Sequence, residues 1–193
     1  MVFVALLRGI NVGGNCTVNM KELKNYFEEL GYKGVKTYIN SGNVIFQVSG
    51  KSQRVLEYEI EKLLESRYSF RIRVLVRDIH EIKKLLESVP VMWNVQREWK
   101  NNIIFLSPLI DSSDILHNFF PKTEIEEVYY HPGALLWSAK SSDLTHSTMI
   151  KINKSPLYKE MTVRGLNTIN KIYQIMNSLQ NELIVAKNSS NRS

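Results

Sequence analysis

Val2-Phe3-Val4-Ala5-Leu6-Leu7, followed at once by Arg8-Gly9-Ile10-Asn11-Val12-Gly13-Gly14-Asn15, is the stretch on which the reading of this chain turns. Six consecutive apolar residues without polar alternation describe a strand buried on both faces, hence an inner strand of its sheet. Glycines and asparagines then break the run. Apolar spacing resumes at Met20, Leu23, Tyr26, Phe27 and Leu30, one face of a helix. Asn19 stands where an N-cap belongs, with Glu22 at the third helical position, and Gly31 where a C′ residue belongs.

Working outward, Val35 to Tyr38 and Asn43 to Val48 are β-prone runs around Asn40-Ser41-Gly42, a hairpin signal. A second helix runs from Ser52 through Leu56, Ile60, Leu63 and Leu64. Phe70, Ile72, Val74 and Val76 alternate with Arg71, Arg73 and Arg77, which predicts a half-exposed strand with its arginines outward. The order β-α-β-β-α-β is the split βαβ, or ferredoxin-like, unit.

Asp78, with Glu81 three residues on, caps a connecting helix that stops at Pro90. The order then recurs. Ile103 to Leu106 reads as a strand and Ile115 to Phe120 as a short helix. Ile125 to Tyr130 and Leu135 to Ser138 form a hairpin around His131-Pro132-Gly133. Helical spacing follows near Leu144, Met149 and Ile152, then a short strand at Thr162-Val163, then a last helix through Leu166, Ile169, Ile172, Tyr173 and Met176. The expected fold is α/β (α+β), a tandem pair of ferredoxin-like βαββαβ halves with an extra C-terminal helix. Residues 1–90 form the first half, 91–100 a linker, 101–187 the second half plus the helix, and 188–193 a disordered polar tail.

The chain has 193 residues, 44% of them apolar and 23% charged, which suffices for a core without covalent staples. One cysteine, Cys16, excludes an internal disulfide and suits a reducing compartment. The short apolar start is no signal peptide, and no run approaches the ~20 residues that span a bilayer, so a cytoplasmic location and no membrane partner are expected. The net charge of +6 is spread over both halves, which permits a polyanionic partner but lacks the one-faced concentration of a nucleic-acid domain. His80, His117, His131 and His146 keep no metal-ligand spacing, so no metal site is expected. No nucleophile stands beside a base and no carboxylate pair stands out. Catalytic residues and cofactors are therefore left unknown.

Three segments carry candidate site residues. In the first loop, Gly9, Asn11, Gly13 and Gly14 let backbone N–H groups converge on an anion, and Arg8 adds planar charged donors. The spacing is neither GxGxxG nor GxxxxGK[ST], and the alternative is a tight connection that needs positive φ. Ser41, Gly42 and Asn43 are hairpin-turn residues that also offer hydroxyl and amide contacts. In Thr162-Val163-Arg164-Gly165-Leu166-Asn167-Thr168, Asn167 or Thr168 caps the last helix and Arg164 suits an anion.

The functional expectation is that these segments meet in one polar pocket for a small anionic ligand. One alternative is a nucleic-acid-binding module using the net charge and exposed Arg71 and Arg73. Its weakness is that Ser41 to Phe46 lacks the basic residue and the aromatics of an RNA-recognition third strand. The other alternative is an interaction protein with no pocket. The oligomeric state is open.

Leu6-Leu7-Arg8-Gly9-Ile10-Asn11-Val12-Gly13-Gly14 with Met20, the segment from Thr37 through Ser41-Gly42-Asn43 to Phe46, and Thr162-Val163-Arg164-Gly165-Leu166-Asn167-Thr168 together resemble a bacterial family known as domain of unknown function 1697. The resemblance covers nearly the whole chain in the expected order. It implies two ferredoxin-like subdomains and no established activity. Arg8, Gly9, Asn11, Gly13, Gly14, Ser41, Gly42, Asn43, Arg164, Asn167 and Thr168 match the family's positions. The family usually has Asn after the last motif's arginine; this sequence has Gly165, so no side-chain role carries over there.

Overall fold

The computed structural model describes residues 1–14, 16–95, 98–118 and 120–190, with the backbone alone at 94, 151 and 183–190. It is a mixed α+β chain with two four-stranded antiparallel sheets. Its contacts divide it into two compact units, Met1–Lys83 with Asn170–Ser193, and Lys84–Ile169.

In the first unit the order is β1 (Val2–Leu7), α1 (Met20–Glu29), β2 (Lys33–Tyr38), β3 (Asn43–Gln47), α2 (Gln53–Arg67) and β4 (Val74–Asp78). The strands lie in the order β2-β3-β1-β4. All six residues of β1 and all five of β3 are buried, as the unbroken apolar run required. One face packs Phe3, Ala5, Leu7, Val44, Phe46, Val74 and Val76 with Leu23 and Phe27 of α1 and Leu56, Ile60 and Leu64 of α2. Tyr32 stacks on Phe46 at 4.6 Å between ring centres, and Phe27 meets the same ring edge-on at 5.4 Å.

The helices begin where their caps stand. Asn19 Oδ1 accepts from the N–H of Lys21 and Glu22 at 2.8 and 3.3 Å, and Ser52 Oγ from Val55 at 3.4 Å. Asp78 accepts from His80 and Glu81 at 2.7 and 2.9 Å, while Glu81 accepts the Asp78 N–H at 2.9 Å. That reciprocal capping box opens α3 (Ile79–Glu87).

The expected strand over Phe70 to Arg77 needs two corrections. It begins only at Val74, and Arg77, expected outward, is 8% exposed. Period-two alternation assigns one face to water, but the second face of this sheet is buried as well, with Val4, Leu6, Ile45 and Gln47. The Arg77 guanidinium donates to Val76 O at 2.8 Å and lies 3.9 Å from Glu57. At Gln47 this second face meets the C-terminal helix, whose Leu179 carbonyl accepts from Gln47 Nε2 at 3.0 Å.

In the second unit β5 (Trp99–Leu106), β6 (Glu126–His131), β7 (Ala134–Lys140) and β8 (Met161–Gly165) lie in the order β6-β7-β5-β8. Its connections carry only short helical turns. The segment expected as a helix over Ile115 to Phe120 is a 3-10 turn at Ser113–Asn118, with 119 outside the described residues. Helical spacing near Leu144 becomes a 3-10 turn at Ser141–His146, followed by α4 (Thr148–Ile152), and another 3-10 turn covers Pro156–Glu160. In the stretch 91–100 a 3-10 turn at Val91–Asn94 buries Trp93, and β5 begins at Trp99. The last helix, α5 (Leu166–Ser190), includes the first residues of the expected tail; 191–193 lie outside the described residues.

One outer strand, β4, has its free N–H groups taken by side chains. Val74 donates to Glu61 at 2.9 Å, Val76 to Glu57 at 2.8 Å and Asp78 to Glu81 at 2.9 Å. Glu57 and Glu61 are one helical turn apart on α2, which matches the two-residue step between outward N–H groups. Replacing both (Glu57→Ala with Glu61→Ala) is expected to cost about 1–3 kcal/mol of stability and to speed amide exchange at Val74 and Val76. Unchanged protection at those two amides would show that the carboxylates do not cap the edge.

Candidate functional site

β1 ends with Leu7 N–H donating to Gly42 O at 2.8 Å and Arg8 N–H to Arg73 O at 2.9 Å. The chain then drops Ile10 into the core at 3% exposure and turns through a run of left-handed residues. Gly9, Asn11, Gly13, Gly14 and Cys16 have φ of 68, 55, 58, 77 and 51°. Asn11 holds this loop together. Its side-chain amide donates to Val18 O (3.0 Å) and Asn40 O (2.9 Å), and its oxygen accepts from Val18 N–H at 2.8 Å. Its own N–H closes on Cys16 O at 3.1 Å.

The bond to Asn40 ties the loop to the β2–β3 turn. There Gly42 is needed twice over: φ is 76°, and a Cβ would sit 2.7 Å from Leu7 Cβ and 2.8 Å from Ile10 Cδ1. Asn43 is fully buried, and its amide donates to Tyr38 O at 3.0 Å and Ser41 Oγ at 2.9 Å. Ile39, a β-branched side chain 48% exposed, sits at φ 48°, a conformation such residues rarely adopt. Two of the three sequence segments are thus one structure. Asn11, Gly42 and Asn43 shape it, while Gly9, Gly13 and Gly14 are exposed and Arg8 and Ser41 half-buried.

The third segment belongs to the second unit. Arg164, on β8 opposite Ile103, is 7% exposed and donates to Thr162 Oγ1 at 2.9 Å and Val163 O at 2.8 Å. Burial pushes its guanidinium down to about 10, with Tyr158 opposing. The helix expected to be capped by Asn167 or Thr168 starts at Leu166, which puts both residues inside its first turn. At Gly165 a Cβ would meet only ordinary contacts, 3.9 Å from Thr168 Oγ1 and 4.0 Å from Asn102 Oδ1.

Sequence reasoning missed Glu126. Its carboxylate is fully buried and accepts from Trp137 Nε1 (3.0 Å), Lys122 N–H (3.1 Å), Thr148 N–H (2.9 Å) and the Thr148 hydroxyl. Burial alone would raise its pKa, but these hydrogen bonds outweigh that and hold it below the ordinary carboxylate range. Beside it Asn118, Phe120, Thr148, Ile152 and Ser155 line a cleft of about 150 Å³. No local pattern marks Glu126, because its donors come from three other places in the chain. Among the described residues no group of three or more His, Cys, Asp or Glu gathers, and no helix is long and apolar enough to cross a membrane.

Two outcomes follow. Asn11→Gly keeps the left-handed backbone but loses the amide bonds, and is expected to cost about 1–3 kcal/mol, read by denaturant unfolding; a loss within experimental error would mean the amide does not hold the loop. For Glu126, a depressed folded pKa gives stability that is present above the unfolded value of about 4.3 and lost as pH falls through the folded one. Wild type should therefore exceed Glu126→Gln by about 2 kcal/mol at neutral pH, with the gap closing in acid. A gap independent of pH would contradict an ionised carboxylate.

The fold is shared. A conserved bacterial protein, SP0830 from Streptococcus pneumoniae, superposes with a TM-score of 0.78 at 27% identity, covering 91% of this chain and 98% of that one. No curated protein matches the chain significantly. Residues 1–137, which carry the Arg8–Gly14 loop and the Ser41–Asn43 turn bound to it, match the family described as protein of unknown function (DUF1697), and the chain belongs to that family.

Proposed function

We propose that this protein binds a small anionic ligand, in the cytoplasm, at the loop that follows β1. The observation that carries the reading is an exposed run of left-handed glycines, Gly9, Gly13 and Gly14, beside Arg8 and pinned to a rigid turn by Asn11. Left-handed residues interspersed with ordinary ones through a turn, as at Gly9, Asn11, Gly13 and Gly14, turn backbone N–H groups toward one side, the arrangement that receives phosphate and carboxylate oxygens. Arg8 supplies a permanent positive charge and Ser41 a hydroxyl, while Asn11, Gly42 and Asn43 hold the frame. Arg164, Asn167 and Thr168 are retained as candidate ligand contacts within the second unit.

A finer reading of the fold accompanies this one: two ferredoxin-like halves in tandem. What supports it is the strand order β2-β3-β1-β4 repeated as β6-β7-β5-β8. Arg77 and Arg164, both buried, also stand at the same step of each fourth strand. Val74 and Met161 pair with the last residues of β1 and β5, and each arginine follows three places later.

The test is a thermal-shift series with inorganic phosphate, nucleotides, phosphorylated sugars and short RNA. A ligand at a hundred times its Kd adds about 2.7 kcal/mol, which for a chain of this size is a rise of about 5–10 °C. Arg8→Ala should abolish the rise. If no anion raises the midpoint, or if Arg8→Ala leaves the rise intact, the reading fails. A rise with RNA alone that collapses steeply with salt would favour the nucleic-acid alternative.

A further inference from the structure

We propose that the outer edge of β6 pairs with the same edge of a second copy of this chain, antiparallel about a two-fold axis at Tyr129. β6 ends the strand order of the second sheet, and among the described residues no strand pairs with its outer side. Which backbone groups point outward follows from the ladder. Lys140 N–H donates to Ile125 O at 2.9 Å, so 125, 127, 129 and 131 bond β7, while 126, 128 and 130 point away. The Glu126 N–H is taken by Lys122 O at 2.9 Å. Val128 and Tyr130 remain, each presenting one N–H and one C=O.

The other outer strands are guarded. The N–H groups of β4 go to Glu57, Glu61 and Glu81. β2 has a register shift between Lys33 and Lys36, both charged, with a left-handed Gly34 between them. β8 is five residues long and passes straight into α5. β6 has no such device beyond the Lys122 carbonyl on Glu126 N–H. It is six regular residues, Glu-Glu-Val-Tyr-Tyr-His, rich in β-formers, with Tyr129 45% exposed.

The register is dictated by the same ladder. With the axis at Tyr129, Val128 lies opposite Tyr130 of the second copy twice over, which closes four main-chain hydrogen bonds. An axis at Tyr130 would set Val128 against Pro132, which has no N–H, and one at Val128 would set Tyr130 against the occupied Glu126. The chosen register also places Glu127 opposite His131 at both ends, in the closer, non-hydrogen-bonded positions. Glu127 is held in place by Trp93 Nε1 at 3.2 Å. The His131 ring donates from Nδ1 to Pro132 O at 2.8 Å, and as an imidazolium it also donates from Nε2 to the carboxylate. This self-complementary charge pattern is why the occupant is a second copy.

Sedimentation velocity of the full chain over a wide concentration range tests the pairing. The expected result is a weak reversible dimer of the 22.4 kDa chain. Val128 and Tyr130 amides should exchange more slowly as concentration rises. Tyr129→Lys, which sets two ammonium groups face to face, should weaken the dimer about tenfold. His131→Glu should weaken it too, and adding Glu127→Lys to that variant should restore it by exchanging the charges. A monomer at every concentration overturns the proposal. So does a dimer indifferent to both Tyr129→Lys and His131→Glu, which would place the contact on another surface.

Discussion

β1 is buried at every one of its six residues, and this constraint organises the first unit. A strand with no wet face leaves no water for polar groups on neighbouring strands, so each must find its partner within the chain. Gln47 reaches the Leu179 carbonyl, Arg77 bonds Val76 O near Glu57, and Asn43 satisfies Tyr38 and Ser41. The helices follow from the same demand, since a two-sided sheet needs apolar cover on both sides. The strand can end only where its last N–H groups are taken, by Gly42 and Arg73.

Those two bonds place the candidate loop. Because Gly42 both accepts from Leu7 and packs within hydrogen-only distance of Leu7 and Ile10, the β2–β3 turn cannot move away from the end of β1. Asn11 then fastens the loop to that turn through Asn40. The exposed glycines are consequently presented from a stiff base rather than from a free loop. Stiffness matters here because an anion site loses affinity for every residue that must be ordered on binding.

Much of the fold was legible because its signals are local. The apolar run of β1, the caps at Asn19 and Asp78, and the hairpins at Ser41-Gly42 and Pro132-Gly133 each depend on a few adjacent residues. Arg77 was misread because alternation reports a single wet face and carries no information about a second covering layer. Asn167 and Thr168 looked like caps because β8 passes directly into α5, without the extended residue that normally marks a helix start. Of the site, the glycine loop and its turn could be picked out, but not the Asn11 bond that joins them, since Asn40 lies 29 residues away. Glu126 left no trace at all, as its donors are assembled only by folding.

The two sheets also allow the loop's geometry to be weighed against topology. In each, a first strand must connect to a second that lies two places away. The second unit makes this connection between Leu106 and Glu126 with a 3-10 turn, and its described residues include none at positive φ. The first unit makes it with five left-handed residues among those described, two of them not glycine, and faces them with left-handed Ile39. A non-glycine residue in that conformation costs about 1–2 kcal/mol. Topology therefore does not demand the conformation, and its cost must be balanced by something the second unit lacks. Packing accounts for Gly42, whose Cβ has no room, but not for Gly9, Gly13 and Gly14, where a Cβ would meet nothing within 4 Å. What those three positions have in common is an outward-facing backbone, and that is the property an anion would use.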